Sequence, residues 1–264
     1  MQGLSAGEIH EITNPPVSIY NITHNGNVFT MMDDGILVGG TKQRLLGEIM
    51  GTMDADEVIY AGPSIGIAQL ALAYTAALWG KKATVFLNTP RLDLDVYTKC
   101  AISYGANVFF ARGCACRTLA ETQKASQKYA DSDKERRLLL PFGLKVPPGE
   151  PFFEVFRKVL VQALPENISP PKRLWLVAGS GFLFDVLHSI FPTTKLMIVQ
   201  VGKKIWQDQM EGMDCQLFVA PEKFYETAIH QPPYKTVPNY DAKLWQFVLQ
   251  YGEDGDAIWN VASK

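Results

Sequence analysis

A lysine follows two glycines in the run GGTKQR at residues 39–44, and its surroundings suit an amine that does chemistry. The run comes after an extended segment at residues 29–32 and opens a predicted helix. Paired glycines permit unusual backbone angles, and the positive end of a helix dipole lowers the pKa of an amine placed there. Lys42 is therefore a candidate nucleophile. A plain helix start with solvated Lys42 and Arg44 is the alternative interpretation.

Two further turns join predicted strands to predicted helices and expose backbone amides. Residues 61–66 read AGPSIG, with Ser64 as a candidate N-cap, and such a junction can bind a carboxylate or a phosphate. A simple strand-to-helix turn has the same sequence features. Residues 178–181 read AGSG after an apolar strand, and their amides, with the Ser180 hydroxyl, suit a phosphate. The third glycine of a dinucleotide-binding fingerprint is missing, which disfavours a nicotinamide cofactor.

Taken together, the three turns supply an amine, a carboxylate site and a phosphate site. This combination suits pyridoxal phosphate, because its aldehyde forms a Schiff base with a lysine and its ring acts as an electron sink. We therefore expect pyridoxal 5'-phosphate as the cofactor.

Short apolar runs alternate with amphipathic stretches, which is the pattern of parallel strands joined by helices. Strands are predicted at residues 58–61, 83–87, 107–110, 138–140, 174–178, 196–201, 216–219 and 257–260. Helices are predicted at residues 41–53, 65–79, 93–104, 117–130, 152–164, 182–190, 221–229 and 241–251. This order predicts an α/β fold of two lobes, with twisted, mostly parallel sheets flanked by helices.

The composition excludes several classes of protein. The 264 residues are 47% hydrophobic and 20% charged, which excludes a disordered chain. The 25 Lys and Arg against 27 Asp and Glu give a net charge of −2, so any contact with nucleic acid must be a local patch. Four cysteines and the lack of a signal-peptide pattern favour the cytoplasm. No apolar run reaches the roughly 20 residues that span a bilayer. Cys114 and Cys116 lack the second ligand pair of a zinc site, so no metal is expected.

The motifs and their order resemble the tryptophan-synthase-β-like (fold type II) pyridoxal-phosphate enzymes, especially the branch of aminocyclopropane-carboxylate deaminase and D-cysteine desulfhydrase. The resemblance covers roughly residues 30–205 and is carried by the runs GGTKQR, GPSIGIAQLALAYTAALWGKKATVFL and LVAGSGFLFDVLHSIFPTTKLMIVQVGK. It implies a homodimer. The expected domains are a large cofactor-binding domain of residues 1–52 and 135–264 and a smaller α/β domain of residues 53–134.

The resemblance assigns cofactor-binding roles to two of the turns. Lys42 is implied as the lysine that carries the cofactor. The phosphate is implied to bind Gly179, Ser180 and Gly181. Phe182 follows this turn where the family has Gly-Thr, so the chain departs from the family pattern there.

The resemblance also assigns substrate-binding roles to the second turn. The residues implied to bind substrate are Gly62, Ser64, Ile65, Gly66 and Gln69. Ser64 falls in addition at the ring hydroxyl of the cofactor, where the family usually has asparagine. Asn260 is the candidate partner of the ring nitrogen, because a polar group near the C-terminus is expected there.

The chain is several tens of residues shorter than usual for the family, and its C-terminal part contains the runs PPY, NYDAKLW and WNVA. These features resemble a compact branch carried by tailed phages among genes for thymidine hypermodification. That resemblance implies a lyase that decarboxylates an amino acid attached to thymidine in DNA. The candidate local contacts with DNA are the basic pairs at residues 81–82, 136–137 and 203–204.

Three alternatives stay open. A pyridoxal-phosphate-dependent deaminase or desulfhydrase of a free small amino acid would remove a proton at the α-carbon instead of a carboxylate. A catalytically inactive binding protein would keep the fold without the chemistry. A nucleotide-binding protein would use the turn at Gly179 without Lys42. For residues 241–251, a plain amphipathic helix that packs Leu244, Trp245 and Phe247 is the simpler interpretation.

Overall fold

The computed structural model describes residues 3–89, 94–110, 118–202 and 204–263. Close contacts divide the chain into two compact units. The first comprises Met1–Pro15 and Lys42–Leu144, and the second comprises Pro16–Thr41 and Lys145–Lys264. By these contacts residues 42–52 belong with the segment that follows them, and the expected division into a large and a small domain stays a prediction.

Ten strands and eight α-helices lie within the described residues. The strands are β1 Ser18–His24, β2 Asn27–Asp33, β3 Glu57–Gly62, β4 Lys82–Leu87, β5 Asn107–Phe110, β6 Arg137–Leu139, β7 Arg173–Ala178, β8 Lys195–Gln200, β9 Cys215–Val219 and β10 Ala257–Asn260. The α-helices are α1 Ala6–Thr13, α2 Lys42–Thr52, α3 Ala68–Leu78, α4 Val96–Ser103, α5 Leu119–Asp131, α6 Pro151–Ala163, α7 Phe182–Ile190 and α8 Trp245–Tyr251. Every predicted strand is present to within one residue at each end, and the predicted α/β fold is confirmed.

The first unit is built on a four-stranded sheet in the order β5-β4-β3-β6, in which all strands are parallel. Every residue of β3 is buried, and helices α3 and α5 pack on this sheet. Buried parallel strands consist of continuous apolar runs, which is why residues 58–61 identify β3 in the sequence. The carboxyl ends of these strands lie at one edge, where residues 61–66 leave the sheet.

Glu57, at the opposite edge, begins β3, and its side chain is 7% exposed. It accepts hydrogen bonds from the Thr84 hydroxyl and, at 3.0 Å, from the Tyr129 hydroxyl. It also pairs with Arg137 Nε at 2.9 Å and with Lys82 Nζ at 3.1 Å. Burial alone would raise the pKa of Glu57, but these hydrogen bonds outweigh it and lower the pKa.

We expect the Glu57 carboxylate to stabilise the fold at neutral pH and to lose that effect in acid. A carboxylate whose pKa is lower in the folded state than in the unfolded state stabilises the fold at pH values above its ordinary pKa of 4.5. This stabilisation is lost as the pH falls through the pKa of the folded state. Glu57→Gln should lower the free energy of unfolding by about 2 kcal/mol at neutral pH and by much less at about pH 3. Urea unfolding of both proteins across this range measures the difference.

Asp56→Asn is the matched control, because Asp56 pairs with Arg136 at 2.6 Å while both side chains are more than half exposed. An exposed pair contributes roughly 0–1 kcal/mol, so this variant should change little at any pH. A Glu57→Gln variant that keeps the acid sensitivity of the wild type would contradict the prediction.

The second unit is built on a six-stranded sheet in the order β1-β2-β10-β7-β8-β9. Strands β1 and β2 form an antiparallel hairpin, and every other neighbouring pair is parallel. Strand β10 lies between β2 and β7, and its Trp259 is fully buried. The apolar core on this sheet consists of Phe29, Met31, Trp175, Val177, Met197, Val199, Val201, Leu244, Trp245, Val248 and Ile258.

Helix α1 and strand β1 are elements that hydrophobic periodicity does not reveal. Ser5 caps α1, and the Glu8 side chain bonds back to Ser5 in a capping box. Strand β1 turns into β2 through Asn25 and Gly26, whose φ angles are 51° and 86°. An Asn-Gly pair adopts such angles in two-residue hairpin turns. Both local signals are present in the sequence.

The prediction of a helix at residues 221–229 is wrong, because this segment forms turns instead. The ammonium group of the fully buried Lys243 donates to the carbonyl oxygens of Lys223 at 2.7 Å and Phe224 at 3.4 Å. These are carbonyl groups that a helix would use for its own hydrogen bonds. The helix predicted at residues 241–251 is a 3-10 turn followed by α8.

Several expectations concern residues outside the described ranges. They are the predicted helix starts at residues 93 and 117, the pair Cys114 and Cys116, and Lys203 of one basic pair. Among the described residues, no group of three or more His, Cys, Asp or Glu side chains is arranged to hold a metal ion. No helix in that part of the chain combines the length and the apolar character needed to cross a bilayer.

Candidate active site

Lys42 is the first residue of α2, and the turn before it is fixed against the end of β10. The Thr41 N–H donates to the Val261 carbonyl at 3.0 Å, and Trp259 Nε1 donates to the Thr41 hydroxyl at 3.1 Å. Gly40 has a φ of +64°, and a Cβ there would lie 2.6 Å from the Val261 oxygen. Glycine is therefore required at this position, and the close approach fixes the turn from which Lys42 extends.

The residues after Lys42 are structural. Gln43 is 1% exposed and donates to the Ile12 carbonyl at 3.0 Å. Arg44 is fully buried and donates to Asn14 Oδ1 at 2.7 Å and to the Pro15 carbonyl. The alternative of a solvated helix start is wrong for Arg44, because its guanidinium group ties α2 to the segment after α1. Lys42 itself is half-buried.

The second turn follows β3 in the first unit and is held from behind by Gln69. The Ser64 carbonyl accepts hydrogen bonds from Gln69 Nε2 at 2.9 Å and from the Thr98 hydroxyl at 3.1 Å. Gln69 Nε2 also contacts the Thr98 hydroxyl at 3.3 Å, and Gln69 is 1% exposed. Because its amide is bound to the turn and to Thr98, Gln69 positions this turn.

Helix α3 begins later than the sequence predicts. Its N-cap is Ile67, which provides no side-chain hydrogen bond, so the prediction of Ser64 as the N-cap is wrong. Gly66 stands just before it with a φ of +145°, and Ile65 and Gly66 are half-buried. The start of α3 thus has backbone amides that no side chain caps, and such amides suit an anion.

Asn88 follows β4 at the same edge of this sheet. Its N–H donates to the Gly62 carbonyl at 3.4 Å. Its amide oxygen is buried and has no hydrogen-bond partner among the described residues. Gly62 is required there for a different reason, because a Cβ would lie 2.6 Å from the ring of Tyr60. Asn88 is a candidate site residue that lacks a recognisable motif.

The third turn, at the end of β7 in the second unit, is a cradle that only glycine forms. Gly181 is the N-cap of α7 with a φ of +90°, and no side chain caps that helix. A Cβ on Gly179 would lie 3.0 Å from the Tyr240 hydroxyl. A Cβ on Gly181 would lie 3.0 Å from Lys145 Nζ. The arrangement fits a phosphate group, because uncapped amides of a helix start bind anions.

Asn260 is fully buried, and its amide is bound on every side. Its Nδ2 donates to Asp33 Oδ1 at 2.7 Å and to the Lys235 carbonyl at 3.1 Å. Its Oδ1 accepts from the Thr236 hydroxyl at 2.7 Å. A contact with a cofactor ring nitrogen would require one of these bonds to break, so the role assigned to Asn260 stays a prediction.

Two buried polar groups in the segment between β9 and β10 do not follow from the sequence patterns. Asp241 comes directly after Tyr240, and its carboxylate is fully buried. Tyr234 has a buried hydroxyl that lacks a hydrogen-bond partner among the described residues. Burial raises the pKa of Tyr234 well above its usual value, and the Asp241 charge raises it further.

Comparisons with known proteins identify the fold. No protein-family model matches the chain, and no curated protein sequence matches it significantly. An ACC deaminase homologue has a TM-score of 0.71 at 14% identity, over 96% of this chain and 90% of its own. Diaminopropionate ammonia lyase of Escherichia coli has a TM-score of 0.65 at 10% identity, over 98% and 87%. O-ureido-L-serine synthase has a TM-score of 0.67 at 11% identity, over 97% and 91%. The protein has the fold of type II pyridoxal-phosphate enzymes.

The type II fold brings part of the predicted site together within the second unit. Strands β7 and β10 are parallel neighbours, so their carboxyl ends lie at one edge of the six-stranded sheet. Thr41 is bound at the end of β10, and Gly179 begins the turn at the end of β7. Ligands of parallel α/β sheets bind outside the carboxyl ends of the strands. At these identities the likeness establishes the fold, and function depends on the residues that this chain places there.

Proposed function

We propose that the protein is a pyridoxal-phosphate-dependent enzyme that acts on an amino acid and binds its cofactor covalently through Lys42. The observation that carries the proposal is the shared edge of the six-stranded sheet. The uncapped glycine turn at Gly179 and Gly181 and the turn that ends in Lys42 both leave the sheet at this edge. A phosphate cradle and an amine are the two groups that this cofactor needs most.

Each residue has a distinct part in this proposal. The amides around Gly181 and the Ser180 hydroxyl hold the phosphate. When bound, pyridoxal phosphate supplies an aldehyde that condenses with amines and a ring that accepts an electron pair from the α-carbon. Lys42 would also give or take the proton at the α-carbon of the amino acid. The amides after Ser64 bind the substrate carboxylate.

For the ring nitrogen, a buried carboxylate is the better partner. A negative group beside the nitrogen keeps it protonated and strengthens electron withdrawal from the substrate. Asn260 is occupied by Asp33, Lys235 and Thr236. Asp241 is a fully buried carboxylate next to Tyr240, whose hydroxyl lies at Gly179. Asp241 is therefore a second candidate for this role beside Asn260.

The reaction we propose is a lyase reaction, and its finer form depends on the substrate. Decarboxylation of an amino acid attached to thymidine in DNA is supported by the resemblance of the C-terminal runs. Deamination of a free small amino acid is the alternative, which the similarity to a deaminase homologue and an ammonia lyase favours. Because the protein has a net charge of −2, it would bind DNA only through a local patch. Such binding would be lost at roughly a few hundred millimolar salt. A homodimer is proposed from the family resemblance.

Addition of pyridoxal phosphate to the purified protein tests the proposal. We expect a visible absorbance band that survives desalting and, after borohydride reduction, one cofactor mass per chain. A protein without band or adduct would refute the proposal and leave a non-catalytic or nucleotide-binding role. Free amino acids are then assayed for ammonia release, and amino-acid-modified DNA for loss of carbon dioxide by mass. The arm that reacts identifies the substrate class.

A further inference from the structure

Lys145 lies at the third turn but has no part in the function proposed above. Its ammonium nitrogen is 3.0 Å from the position that a Cβ on Gly181 would occupy, and 5.2 Å from the centre of the Phe184 ring. Gly181 is the N-cap of α7, whose first amides have no side-chain cap. A positive charge therefore stands beside amides that already suit an anion.

Asp185 is the present partner of this ammonium group. Lys145 Nζ lies 2.9 Å from Asp185 Oδ2, and the side chains are 24% and 7% exposed. Burial raises the pKa of Asp185, and Lys145 opposes that change by favouring the ionised carboxylate. Asp185 also belongs to the first turn of α7, where the helix dipole favours a negative charge. The pair is thus a cation held at the turn by a carboxylate behind it.

The backbone before Lys145 has an unusual conformation. Gly143 and Leu144 both have positive φ angles, of 67° and 62°. Few residues other than glycine adopt such angles, and Leu144 does so while its side chain is buried. The Lys145 side chain itself is mostly buried and paired with Asp185.

We propose that Lys145 is a phosphate-binding residue of this turn, with Asp185 holding its ammonium group in place. This inference rests on the proposed function, because the phosphate in question is that of the cofactor. The amides give the phosphate directed hydrogen bonds, and Lys145 adds the charge that a dianion needs. Without Lys145, the uncompensated charge of the buried Asp185 carboxylate, in the first turn of α7, would oppose the binding of an anion there. The lysine should thus affect the phosphate group and leave the pyridoxal ring unaffected.

Binding of pyridoxal phosphate and of pyridoxal to the same variants tests the inference by equilibrium dialysis. In the wild type we expect pyridoxal phosphate to bind much more tightly than pyridoxal. Lys145→Met should weaken the affinity for pyridoxal phosphate about 10- to 100-fold and change the affinity for pyridoxal by no more than about twofold. Lys145→Arg should restore most of the loss. Lys158→Met, which changes an exposed lysine on α6, is the control and should leave the affinity for both ligands unchanged.

Two further variants separate binding from folding. Lys145→Met leaves Asp185 buried without its partner and can fail to fold for that reason. The double variant Lys145→Met/Asp185→Asn removes both charges and should show the same loss of preference for the phosphate. Asp185→Asn alone keeps the cation but weakens the contact that places it, so this variant should lose only part of that preference. If Asp185→Asn loses the preference as fully as Lys145→Met does, the pair is structural and the inference is overturned.

Inorganic phosphate separates this inference from the proposed function. It should raise the thermal unfolding midpoint of the wild type and raise it less in Lys145→Met. A wild type that forms no cofactor adduct but shows this difference would refute the function and keep the anion site. A Lys145→Met variant that binds pyridoxal phosphate and inorganic phosphate as the wild type does would overturn the role of Lys145.

Discussion

Replacing Lys42 with alanine is expected to abolish the covalent attachment of pyridoxal phosphate. The reason is that an imine to the cofactor needs a primary amine, and Lys42 extends from a turn fixed by Thr41 and Gly40. We expect no borohydride-trapped cofactor on the variant and, with an active substrate, turnover lower by at least about 10³. Mass spectrometry of the digested protein locates the adduct in the wild type.

Lys158→Ala is the matched control for this experiment. Lys158 is an exposed lysine within α6, so it reacts with excess aldehyde only as a surface amine. Its loss should leave the stoichiometry and position of the trapped cofactor unchanged. Lys42→Ala should still bind the cofactor, but reversibly, because the turn at Gly179 and Gly181 remains. An adduct of equal yield on Lys42→Ala would show that another lysine carries the cofactor.

Replacing Gly40 with alanine is expected to lower the free energy of unfolding by roughly 2–4 kcal/mol. Two effects add: alanine is strained at a φ of +64°, and its Cβ would stand 2.6 Å from the Val261 oxygen. The atom in the way is a backbone oxygen of the segment after β10, which cannot rotate away as a side chain does. We also expect a lower yield of trapped cofactor, because the turn that carries Lys42 must shift. Urea unfolding and borohydride trapping measure the two effects.

Gly26→Ala separates the strain from the clash. Gly26 has a φ of +86° in the turn between β1 and β2, and a Cβ there would meet nothing within 4 Å. This variant should therefore lose only the conformational part, about 1 kcal/mol, and should trap cofactor as the wild type does. If both variants lose the same free energy of unfolding, the close approach to Val261 does not contribute to the effect of Gly40→Ala.

Much of the fold is predictable from the sequence because parallel strands are buried on both faces. Such strands consist of continuous apolar runs, so β3, β7 and β8 can be located to within one residue. The failures have a different cause. The segment at residues 221–229 is amphipathic, yet the ammonium group of Lys243 binds its carbonyl groups from about 20 residues away. Periodicity describes neighbours in sequence and carries no information on such a contact.

The candidate site is predictable where glycine patterns mark it. The turns at Gly40 and Gly181 have the positive φ angles that their glycines indicate. The roles proposed for Lys145 and Asp241 could not be predicted in the same way, because they depend on tertiary packing and no glycine pattern marks either residue. Asn260 shows the converse: its residue type suits a ring nitrogen, but its hydrogen bonds are already used. Residue type thus indicates candidates, and the hydrogen bonds that a candidate already makes must be set against its assigned role.

The contact between Thr41 and the end of β10 has a consequence for biosynthesis. The hydroxyl and carbonyl that meet there are 220 residues apart in sequence. A ribosome makes the chain from its N-terminus, so the turn that carries Lys42 lacks this contact until Val261 has been made and released from the exit tunnel. Closing so long a loop is a slow step in folding. A nascent chain therefore contains Lys42 long before it can hold that lysine in place, and a chain that stops before residue 257 lacks the central strand β10.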